Sequence, residues 1–529
     1  MGTESQVLAM YDVRGIQSYI FKTNHVKEII GASYLVESII EDAFKAATKD
    51  WEIEGSVISE WNDKIDEPLE IIKNPANIKA QILFVGGGNA YILYKNREIC
   101  LEVNRAMSRY VLEHTYSLQL AIAMIDKTEN YYNDYVNLNK EMTRVKQSMK
   151  MTKYMGALPI IANDSITGYP LTKGDDNEKN CTEVRLKLQE LENVASQGRA
   201  SNFENLITLK GEDSQLAIVH IDGNNLGMRI RSLMEDASLQ NDYEKSVQRM
   251  RRISHNIKTE FESTYAEMEE YLNNWVNSDQ NQKLKNGKNA VYIRKIILAG
   301  DDVTFVCNAH VALSLVEFFA DNISTKLLFN DATLSEEENK KKYSFSVCAG
   351  ISYIYSHFPF STGYVVAEEC CESAKKRAKQ DKHMTDGQVG NWVDFQICKS
   401  VQVGNLEKNR FDNYRISDGT KLLNRPFYMQ GKGQNEAMDS ACQTYDFRGF
   451  KDQIKFFTDE NKMPRSFAKE MRNTYPYGKV EMKKLIIFAK SRNRSMPDGS
   501  EDAFKNNVAK WYDALEMMDL FVDMKKGDA

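Results

Sequence analysis

One series of predicted elements occurs twice in the sequence, and this repetition is the strongest constraint on the fold. In the first third the series is a strand, a helical region, a hairpin of two strands, a helix and a strand. The first strand is predicted at 6–12, and the helical region begins at Gly15. The hairpin strands are predicted at 81–85 and 90–94, the helix at 97–114 and the last strand at 118–125. A glycine-rich turn at 86–89 joins the two hairpin strands, as is typical of a tight hairpin.

The middle third repeats this order around a second hairpin. Its strands are predicted at 215–222, 294–298, 303–307 and 344–352. Long helices follow the first of these strands, and further helices are predicted at 310–323 and 362–380. The order strand, helix, hairpin, helix, strand is that of ferredoxin-like domains, which is also the topology of polymerase palms. We therefore predict an α+β protein with two ferredoxin-like palm domains and additional helical regions.

At 529 residues the chain is too long for one ordinary domain, since domains average roughly 150 residues. We expect four parts: a first palm, a polar linker of helices and turns, a second palm with a helical insertion at about 228–290, and a C-terminal helical domain. Their boundaries are predicted at 1–127, 128–210, 211–395 and 396–529.

Composition excludes several classes of protein. With 42% hydrophobic and 27% charged residues the chain is typical of soluble globular proteins, and no apolar run is long enough for a membrane helix. The first residues lack a signal-peptide pattern, so we expect the cytoplasm and no membrane partner. The eight cysteines form no C-x-x-C pair, which favours reduced, buried thiols over a zinc ribbon.

The net charge of −6 argues against a protein whose whole surface binds nucleic acid. A local basic stretch is nevertheless present, and a solvated helix face is its more common explanation. Its residues are Lys483, Lys484, Lys490, Arg492 and Arg494.

Three carboxylates of the middle third are expected to meet at one edge of the sheet. Asp222 ends an apolar strand, and Asp301 and Asp302 occupy a hairpin tip. Mg²⁺ prefers oxygen ligands and is commonly held by one or two carboxylates plus substrate phosphates. Two such ions stabilise both the attacking and the leaving oxygens of a phosphoryl displacement. A metal-dependent phosphoryl transfer is the chemistry that this pattern favours.

Small and turn-forming residues flank these carboxylates. Gly300 allows a tight turn, and Gly223, Asn224 and Asn225 separate Asp222 from a helix, so backbone N–H groups there are candidates for phosphate binding. Each signal alone is more often an ordinary turn. Their combination in this element order favours a metal and nucleotide site.

The last palm helix and the first hairpin supply further candidates. Lys375, Lys376 and Lys379 carry charge suited to a triphosphate, although such lysines, taken singly, are more often a solvated helix face. In the first third the acidic tip is replaced by Gly86, Gly87, Gly88 and Asn89, which suits nucleotide binding without metals. Asp12, at the end of the first strand, is interpreted as structural.

Taken together, these motifs resemble the large subunit of type III CRISPR systems, a group related to GGDEF nucleotide cyclases. The resemblance covers roughly residues 6–395. The matching segments are Asp222–Gly227, Ala299–Asp302, Cys348–Ser352 and Ala367–Lys379 in the second palm, and Asp12–Phe21, Lys27–Val36 and Gly86–Asn89 in the first.

The resemblance implies a synthetase that joins ATP through 3′-5′ linkages into a cyclic oligoadenylate or cyclic dinucleotide messenger and releases pyrophosphate. It implies two Mg²⁺ or Mn²⁺ ions and paired palms that place two ATP molecules side by side. The implied metal site consists of Asp222, Ile221, Asp301 and Asp302. The implied nucleotide contacts are Gly223, Asn224, Asn225, Gly300, Lys375 and Lys379, with Gly86 to Asn89 at the second nucleotide.

Three departures from the family pattern stand out. Asp12 lies too near the start for an HD nuclease domain, so DNA cleavage is not expected. The zinc-binding cysteine pairs between the palms are absent, with only Cys181 nearby, and position 224 is Asn where a second acid is common.

The sequence is compatible with more than one set of partners and more than one activity. The chain is expected either in a guide-RNA effector complex or as a free-standing enzyme with a downstream effector that senses the cyclic nucleotide. The alternatives to ATP cyclisation are a catalytically silent palm scaffold and a guanylate cyclase of the GGDEF type.

Overall fold

The computed structural model describes eleven stretches of the chain, and the structural statements below concern these residues. They are 5–62, 65–86, 88–149, 160–173, 179–195, 215–239, 242–277, 292–380, 389–400, 405–430 and 442–527. By contacts, the chain divides into two compact units, each assembled from separate segments. The first comprises Met1–Asn202, Asn225–Glu262 and Ile296–Asp302, and the second comprises Phe203–Asn224, Ser263–Lys295 and Val303–Ala529.

The first unit is built around a five-stranded sheet with strand order β2-β3-β4-β1-β5. The strands are β1 (Val7–Arg14), β2 (Val57–Ile58), β3 (Ala80–Gly86), β4 (Asn89–Tyr94) and β5 (Gln119–Asp126). β1 pairs antiparallel with β4 on one side and with β5 on the other. Its residues from Val7 to Tyr11 are buried, as expected for a central strand covered on both faces.

Helices and a short hairpin complete this part of the chain. They are α1 (Ile16–Ile20), α2 (Val26–Ile53), α3 (Glu70–Lys73), α4 (Arg97–Thr115), α5 (Tyr131–Ser148), β6 (Leu171–Lys173), β7 (Lys179–Cys181) and α6 (Thr182–Ala195). Asn96 caps α4, because its side chain accepts a hydrogen bond from the Ile99 N–H at 3.0 Å. α2 packs closely on α6 at Gly31, where a Cβ atom would lie 1.8 Å from the Lys187 carbonyl oxygen.

The second sheet has six strands in the order β13-β12-β11-β8-β10-β9. They are β8 (Gln215–Gly223), β9 (Ile293–Ala299), β10 (Asp302–Asn308), β11 (Val347–Tyr355), β12 (Asn391–Ile397) and β13 (Phe427–Met429). The accompanying helices are α7 (Leu226–Met234), α8 (Tyr243–Asn277), α9 (Ala312–Ile323), α10 (Glu336–Tyr343) and α11 (Phe360–Ala378).

The two sheets share the strand order that the sequence repeat predicts. In the first sheet the series runs β3-β4-β1-β5, and in the second it runs β9-β10-β8-β11. In both, the first strand of the repeat lies between the third and the fourth, as in a ferredoxin-like domain. The predicted fold class, α+β with two palm domains and helical regions, is confirmed.

The second sheet extends past residue 395, where the sequence suggests a domain boundary. β12 pairs parallel to β11, with Trp392 opposite Cys348, and β13 pairs with β12. The apolar residues Trp392, Val393 and Phe395 of β12 are fully buried. The predicted end of the second palm therefore falls inside a strand, because a parallel strand of this kind pairs with a distant partner and lacks a hairpin signal. The remaining boundaries of the four-part division stay predictions.

The predicted helical insertion contains α7 and the 35-residue helix α8. Residues spaced three or four apart along α8 are buried, and they include Met250, Ile253, Ile257, Phe261 and Leu272. This spacing is the period of a helix with one apolar face. Part of the predicted insertion, 278–290, lies outside the described residues.

The C-terminal region is mainly helical, with a short hairpin. Its elements are α12 (Leu406–Asn413), α13 (Phe447–Thr458), α14 (Arg465–Thr474), α15 (Lys479–Ser491), β14 (Phe504–Lys505), β15 (Val508–Ala509) and α16 (Tyr512–Met517). The basic stretch lies on and after α15, where Lys483 and Lys484 are exposed, in agreement with a solvated helix face. All eight cysteines are buried and free of disulfides, as predicted. No helix among the described residues is long and apolar enough to cross a membrane.

α11 lies against the second sheet at two glycines. A Cβ atom on Gly350 of β11 would lie 1.9 Å from the Ala367 carbonyl oxygen of α11. A Cβ atom on Gly363 of α11 would lie 2.8 Å from a methyl group of Ile218. The helix backbone therefore reaches the strand directly, which fixes the position of every side chain that α11 carries.

A buried cluster of charges connects β12 to the C-terminal helices. Arg425 is fully buried, and its guanidinium lies 3.1 Å from Glu516 Oε2 and 3.3 Å from Asp513 Oδ1. Arg410 donates two hydrogen bonds, of 2.7 and 2.8 Å, to the buried carboxylate of Asp394. Burial opposes ionisation of Asp394, but Arg410 nevertheless lowers the pKa of this carboxyl. Each buried charge thus depends on its partner.

Gly350→Ala is predicted to destabilise the protein by about 3 kcal/mol, since the new methyl group would overlap backbone atoms that cannot move aside. Gly227→Ala is the matched control, because nothing lies within 4 Å of a Cβ atom at Gly227. Urea unfolding measures both variants. Equal midpoints for the two would contradict the close packing of α11 on β11.

Arg425→Met is predicted to cost about 3–5 kcal/mol of unfolding free energy, because it leaves buried carboxylates without their counter-charge. The control is Arg109→Met. Arg109 forms an exposed ion pair with Glu113 at 2.7 Å, and such pairs contribute about 1 kcal/mol or less. Similar losses of stability in the two variants would show that the buried cluster is not essential.

Candidate active site

Asp222 is the next-to-last residue of β8, and its side chain is partly exposed. β8 lies between β10 and β11, with Asp222 opposite Cys348 of β11. After Gly223 and Asn224, the chain passes through Asn225 in the left-handed region, at φ 56°, and enters α7. The segment is therefore a strand end followed at once by a helix, as the sequence predicts.

Asp301 and Asp302 lie where the hairpin of β9 and β10 turns. Gly300 has φ 63°, a conformation that favours glycine, and Asp302 is the first residue of β10. In the antiparallel ladder, Val303 of β10 is opposite Ile221 of β8. Asp302 and Asp222 are the chain neighbours of these paired residues, and the grouping of the three carboxylates stays a prediction.

Lys375 of α11 forms an ion pair with Asp222, with 2.7 Å between Lys375 Nζ and Asp222 Oδ2. The same ammonium lies 3.2 Å from Glu372 Oε1. Burial alone would lower the pKa of Lys375, but the Cys371 thiol and the Asp222 carboxylate raise it above its ordinary value. Lys375 is thus a fixed positive charge at the end of β8, while Lys379 follows at the exposed C-terminal cap of the helix.

Asn224 and Ile221 are buried beside Asp222. The Asn224 backbone N–H donates to the Ser346 carbonyl at 2.8 Å, and its side-chain amide donates to the Gly390 carbonyl at 2.9 Å. The backbone N–H and one side-chain N–H of Asn224 are thus used within the fold, and a phosphate contact from Asn224 stays a prediction. Ile221 is fully buried, and as an aliphatic residue it has only its main-chain oxygen as a ligand atom.

Carboxylates do not form a ready metal cage in the structure. Among the described residues, no group of three or more His, Cys, Asp or Glu side chains is arranged to hold a metal ion. The oxygen donors at the end of β8 still suit Mg²⁺, which usually takes one or two carboxylates and completes its shell with substrate phosphates and water. The donor chemistry therefore fits a metal that arrives together with its substrate.

In the first unit, the glycine-rich turn has no acidic side chain. Gly88 has φ 78°, and Asn89, the first residue of β4, is opposite Asp12 of β1. Gly86 and Gly88 line a cavity of about 140 Å³, and so does Gly300. The predicted contact at Gly87 lies outside the described residues.

Asp12 forms an ion pair with Lys146 of α5. Burial raises the pKa of the Asp12 carboxyl, while the hydrogen bond from Lys146 opposes that shift. A lysine therefore pairs with the acid near the end of the first strand of each repeat: Lys146 with Asp12 and Lys375 with Asp222. In the first unit this pairing is consistent with the structural interpretation of Asp12.

His220 is a residue near the site that the sequence reasoning missed. It lies two positions before Asp222 in β8, is almost fully buried, and its Nδ1 is 3.1 Å from Thr304 Oγ1 of β10. Burial lowers the pKa of His220 to about 4, so the ring is neutral at physiological pH. A histidine inside an otherwise apolar strand is the sequence signal that could have indicated it.

Comparison with known protein families finds a match for part of the chain. A family model described as Cas10/Cmr2, second palm domain, matches residues 215–384. This range contains Asp222, Asp301, Asp302 and Lys375. No curated protein matches the chain.

Solved structures of Csm1–Csm4 cassettes are similar in fold. A cassette in complex with cA4 has a TM-score of 0.52 and 14% sequence identity, covering 98% of this chain and 70% of the other. A cassette in complex with one ATP has a TM-score of 0.52 and 15% identity, with coverage of 99% and 70%. A cassette with pppApA gives 0.52 and 14%, with coverage of 98% and 70%.

Because the sequence identity is low, the similarity to these solved structures concerns the fold alone. The family model, in contrast, matches residues 215–384 by their sequence. The resemblance that the sequence motifs predict is thereby supported by two independent comparisons. Residues 215–384 thus resemble the second palm domain of Cas10/Cmr2, and the fold of the chain is similar to that of a chain in the Csm1–Csm4 cassettes.

Proposed function

We propose that the protein is a metal-dependent nucleotidyltransferase that converts ATP into a cyclic oligoadenylate or cyclic dinucleotide messenger and releases pyrophosphate. It would act in the cytoplasm, in CRISPR-type or related antiphage defence. The observation that carries the proposal is Asp222 at the end of β8, paired with Lys375, inside the range that matches a Cas10/Cmr2 palm.

The proposed metal ligands are Asp222, Asp301, Asp302 and the main-chain oxygen of Ile221. The register of β8 against β10 supports this group, since Ile221 and Val303 are paired. Bound Mg²⁺ or Mn²⁺ would neutralise phosphate charge and activate the attacking hydroxyl. The carboxylates themselves would orient the triphosphate through the ions they hold.

Cations and backbone groups would hold the nucleotides. Lys375 lies beside Asp222 and would exchange this carboxylate for triphosphate oxygens when substrate binds, and Lys379 would add a second charge. Gly223, Asn225 and Gly300 would allow close approach of the phosphates. Gly86, Gly87, Gly88 and Asn89 would contact the second nucleotide, beside the cavity in the first unit.

The structural neighbours support ATP as the substrate. These neighbours are Csm1–Csm4 cassettes in complex with cA4, with pppApA and with one ATP. By analogy, we propose adenylate as the reacting nucleotide and a Csm4-like subunit of an effector complex as a partner, with a separate effector that senses the product.

The alternative function is a catalytically silent palm scaffold. The observation in its favour is that Lys375 already neutralises Asp222, and that no three-carboxylate group is assembled among the described residues. Direct assay separates this scaffold from the cyclase, and the same assay with GTP tests the guanylate alternative.

Asp301→Ala combined with Asp302→Ala is predicted to abolish product formation, because the proposed site loses two of its oxygen ligands. Purified protein is incubated with each nucleoside triphosphate and Mg²⁺ or Mn²⁺, and products are identified by mass spectrometry together with pyrophosphate release. Glu336→Ala with Glu337→Ala is the matched control, since both acids are exposed neighbours at the start of α10. Cyclic product from the aspartate variant would refute the assignment, and no product from any triphosphate would favour the scaffold.

Lys375→Met is predicted to bind Mn²⁺ several-fold more tightly without nucleotide, since Asp222 no longer has a competing cation. Turnover of ATP should fall at least about tenfold in the same variant, because a charged contact to the triphosphate is lost. Electron paramagnetic resonance of free Mn²⁺ measures the binding. Lys340→Met, which removes the exposed ion pair with Glu336, should change neither quantity. Unchanged Mn²⁺ affinity would place the metal away from Asp222.

A further inference from the structure

The second unit contains a large cleft that the proposed reaction does not use. Its walls are α11, α12 and the segment 414–426, and its volume is about 820 Å³. This size lies within the range of small-molecule sites in proteins. We call it the α11–α12 cleft. It is lined by the side of α11 that carries Glu368, Glu372 and Lys376.

The charges of the cleft are separated into an acidic end and a basic end. Along α11 the lining residues change from Glu368, Glu369 and Glu372 to Lys376 and Arg377. Residues 368 and 377 are nine apart, which corresponds to about 13 Å along a helix. The basic end can therefore bind a negatively charged group of a ligand. The acidic end can accept hydrogen bonds from donor groups of the same ligand.

Contacts between the walls fix this polarity. The Leu406 N–H at the start of α12 donates to Glu369 at 2.7 Å, which places the beginning of α12 at the acidic end. Arg377 donates to the carbonyl oxygens of Asn424 and Pro426 at 2.6 and 3.0 Å. The 424–426 segment is thereby held at the basic end.

Three cations of the cleft have no counter-charge among the residues that the structure describes. Arg410 and Arg425 are neutralised by the buried acids behind them. In contrast, the side chains of Lys376, Arg415 and Lys421 are exposed and form no ion pair or hydrogen bond within the described residues. Arg415 and Lys421 also lie next to each other, since their backbones form an antiparallel bridge. The basic end thus presents unneutralised charge suited to a phosphate.

An exposed aromatic ring lies in the same cleft. Phe411 of α12 is 58% exposed, unusually high for a phenylalanine, and the Arg415 guanidinium lies 4.5 Å from the centre of its ring. Aromatic faces beside cations are the standard surface for stacking a nucleic-acid base. Sugar hydroxyls and base amino groups donate hydrogen bonds, and carboxylates such as Glu407 at the acidic end accept them.

From these features, we propose that the α11–α12 cleft is a second nucleotide-binding site, separate from the palm carboxylates. Phosphate would contact Lys376, Arg415 and Lys421, and the base would stack on Phe411. The ligand is a nucleoside phosphate, either a free mononucleotide or the terminal nucleotide of an RNA strand. The proposal does not depend on the proposed cyclase activity, because it concerns binding alone.

Photo-crosslinking of the full-length protein tests the cleft directly. The probes are 8-azido-ATP, 8-azido-AMP and an RNA oligonucleotide that ends in 8-azidoadenosine. EDTA is present to weaken metal-dependent binding at the palm. After irradiation and proteolysis, mass spectrometry should locate label within residues 405–426. Label with only the mononucleotides would identify a free nucleotide as the ligand, and label with only the oligonucleotide would identify an RNA end.

Charge reversal at the basic end separates specific from accidental labelling. Arg415→Glu with Lys421→Glu should lower labelling of 405–426 at least about tenfold, because two phosphate contacts become repulsive. Phe411→Ala should lower it as well, and as an exposed residue it should not affect folding. Lys408→Glu is the control, since Lys408 is an exposed cation of α12 that does not line the cleft. Absence of label from every probe, or label that the Arg415, Lys421 and Phe411 substitutions leave unchanged, would overturn the proposal.

Discussion

The close packing of α11 on β11 is the contact on which the rest of the second palm depends. A helix normally rests on a sheet through side chains, but Gly350 lets the α11 backbone approach the strand itself. This contact fixes the distance of the helix from the sheet and the rotation of the helix about its own axis. As a result, Lys375 on one side of α11 reaches Asp222 at the end of β8.

An adjacent side of the same helix lines the α11–α12 cleft. Glu372 belongs to both environments, because it lines the cleft and lies 3.2 Å from Lys375 Nζ. A single helix therefore carries charged residues toward the palm carboxylates and toward a second concave surface. Neither arrangement would be maintained if α11 could slide on β11.

Charge pairing is the second organising constraint. Asp12 and Asp222 lie near the ends of equivalent strands of the two repeats, and each is paired with a lysine. Deeper in the second unit, Asp394, Asp513 and Glu516 surround Arg410 and Arg425. Buried carboxylates tolerate the loss of water only because these partners are present. The partly exposed pair at Asp222 is different, since substrate oxygens and cations can compete for it.

Much of the fold could be predicted because its signals are local. Alternating apolar residues, the glycine turns at 86–89 and 300, and the spacing of three and four along α8 each reflect short-range geometry. The repeated order of these elements then indicated the two palms and the positions of Asp222, Asp301 and Asp302. Strand β12 was not predicted, because a parallel strand has no adjacent turn to mark it.

The sequence by itself determined the order of elements, the two-fold repetition and the identity of the acidic residues at the strand ends. Only the tertiary structure decided that Asn224 uses its donors inside the fold, that Lys375 pairs with Asp222, and that Lys376, Arg415 and Lys421 share one cleft. The physical reason is distance along the chain. Local periodicity specifies helices and strands, whereas contacts between residues far apart in the chain depend on how those elements pack.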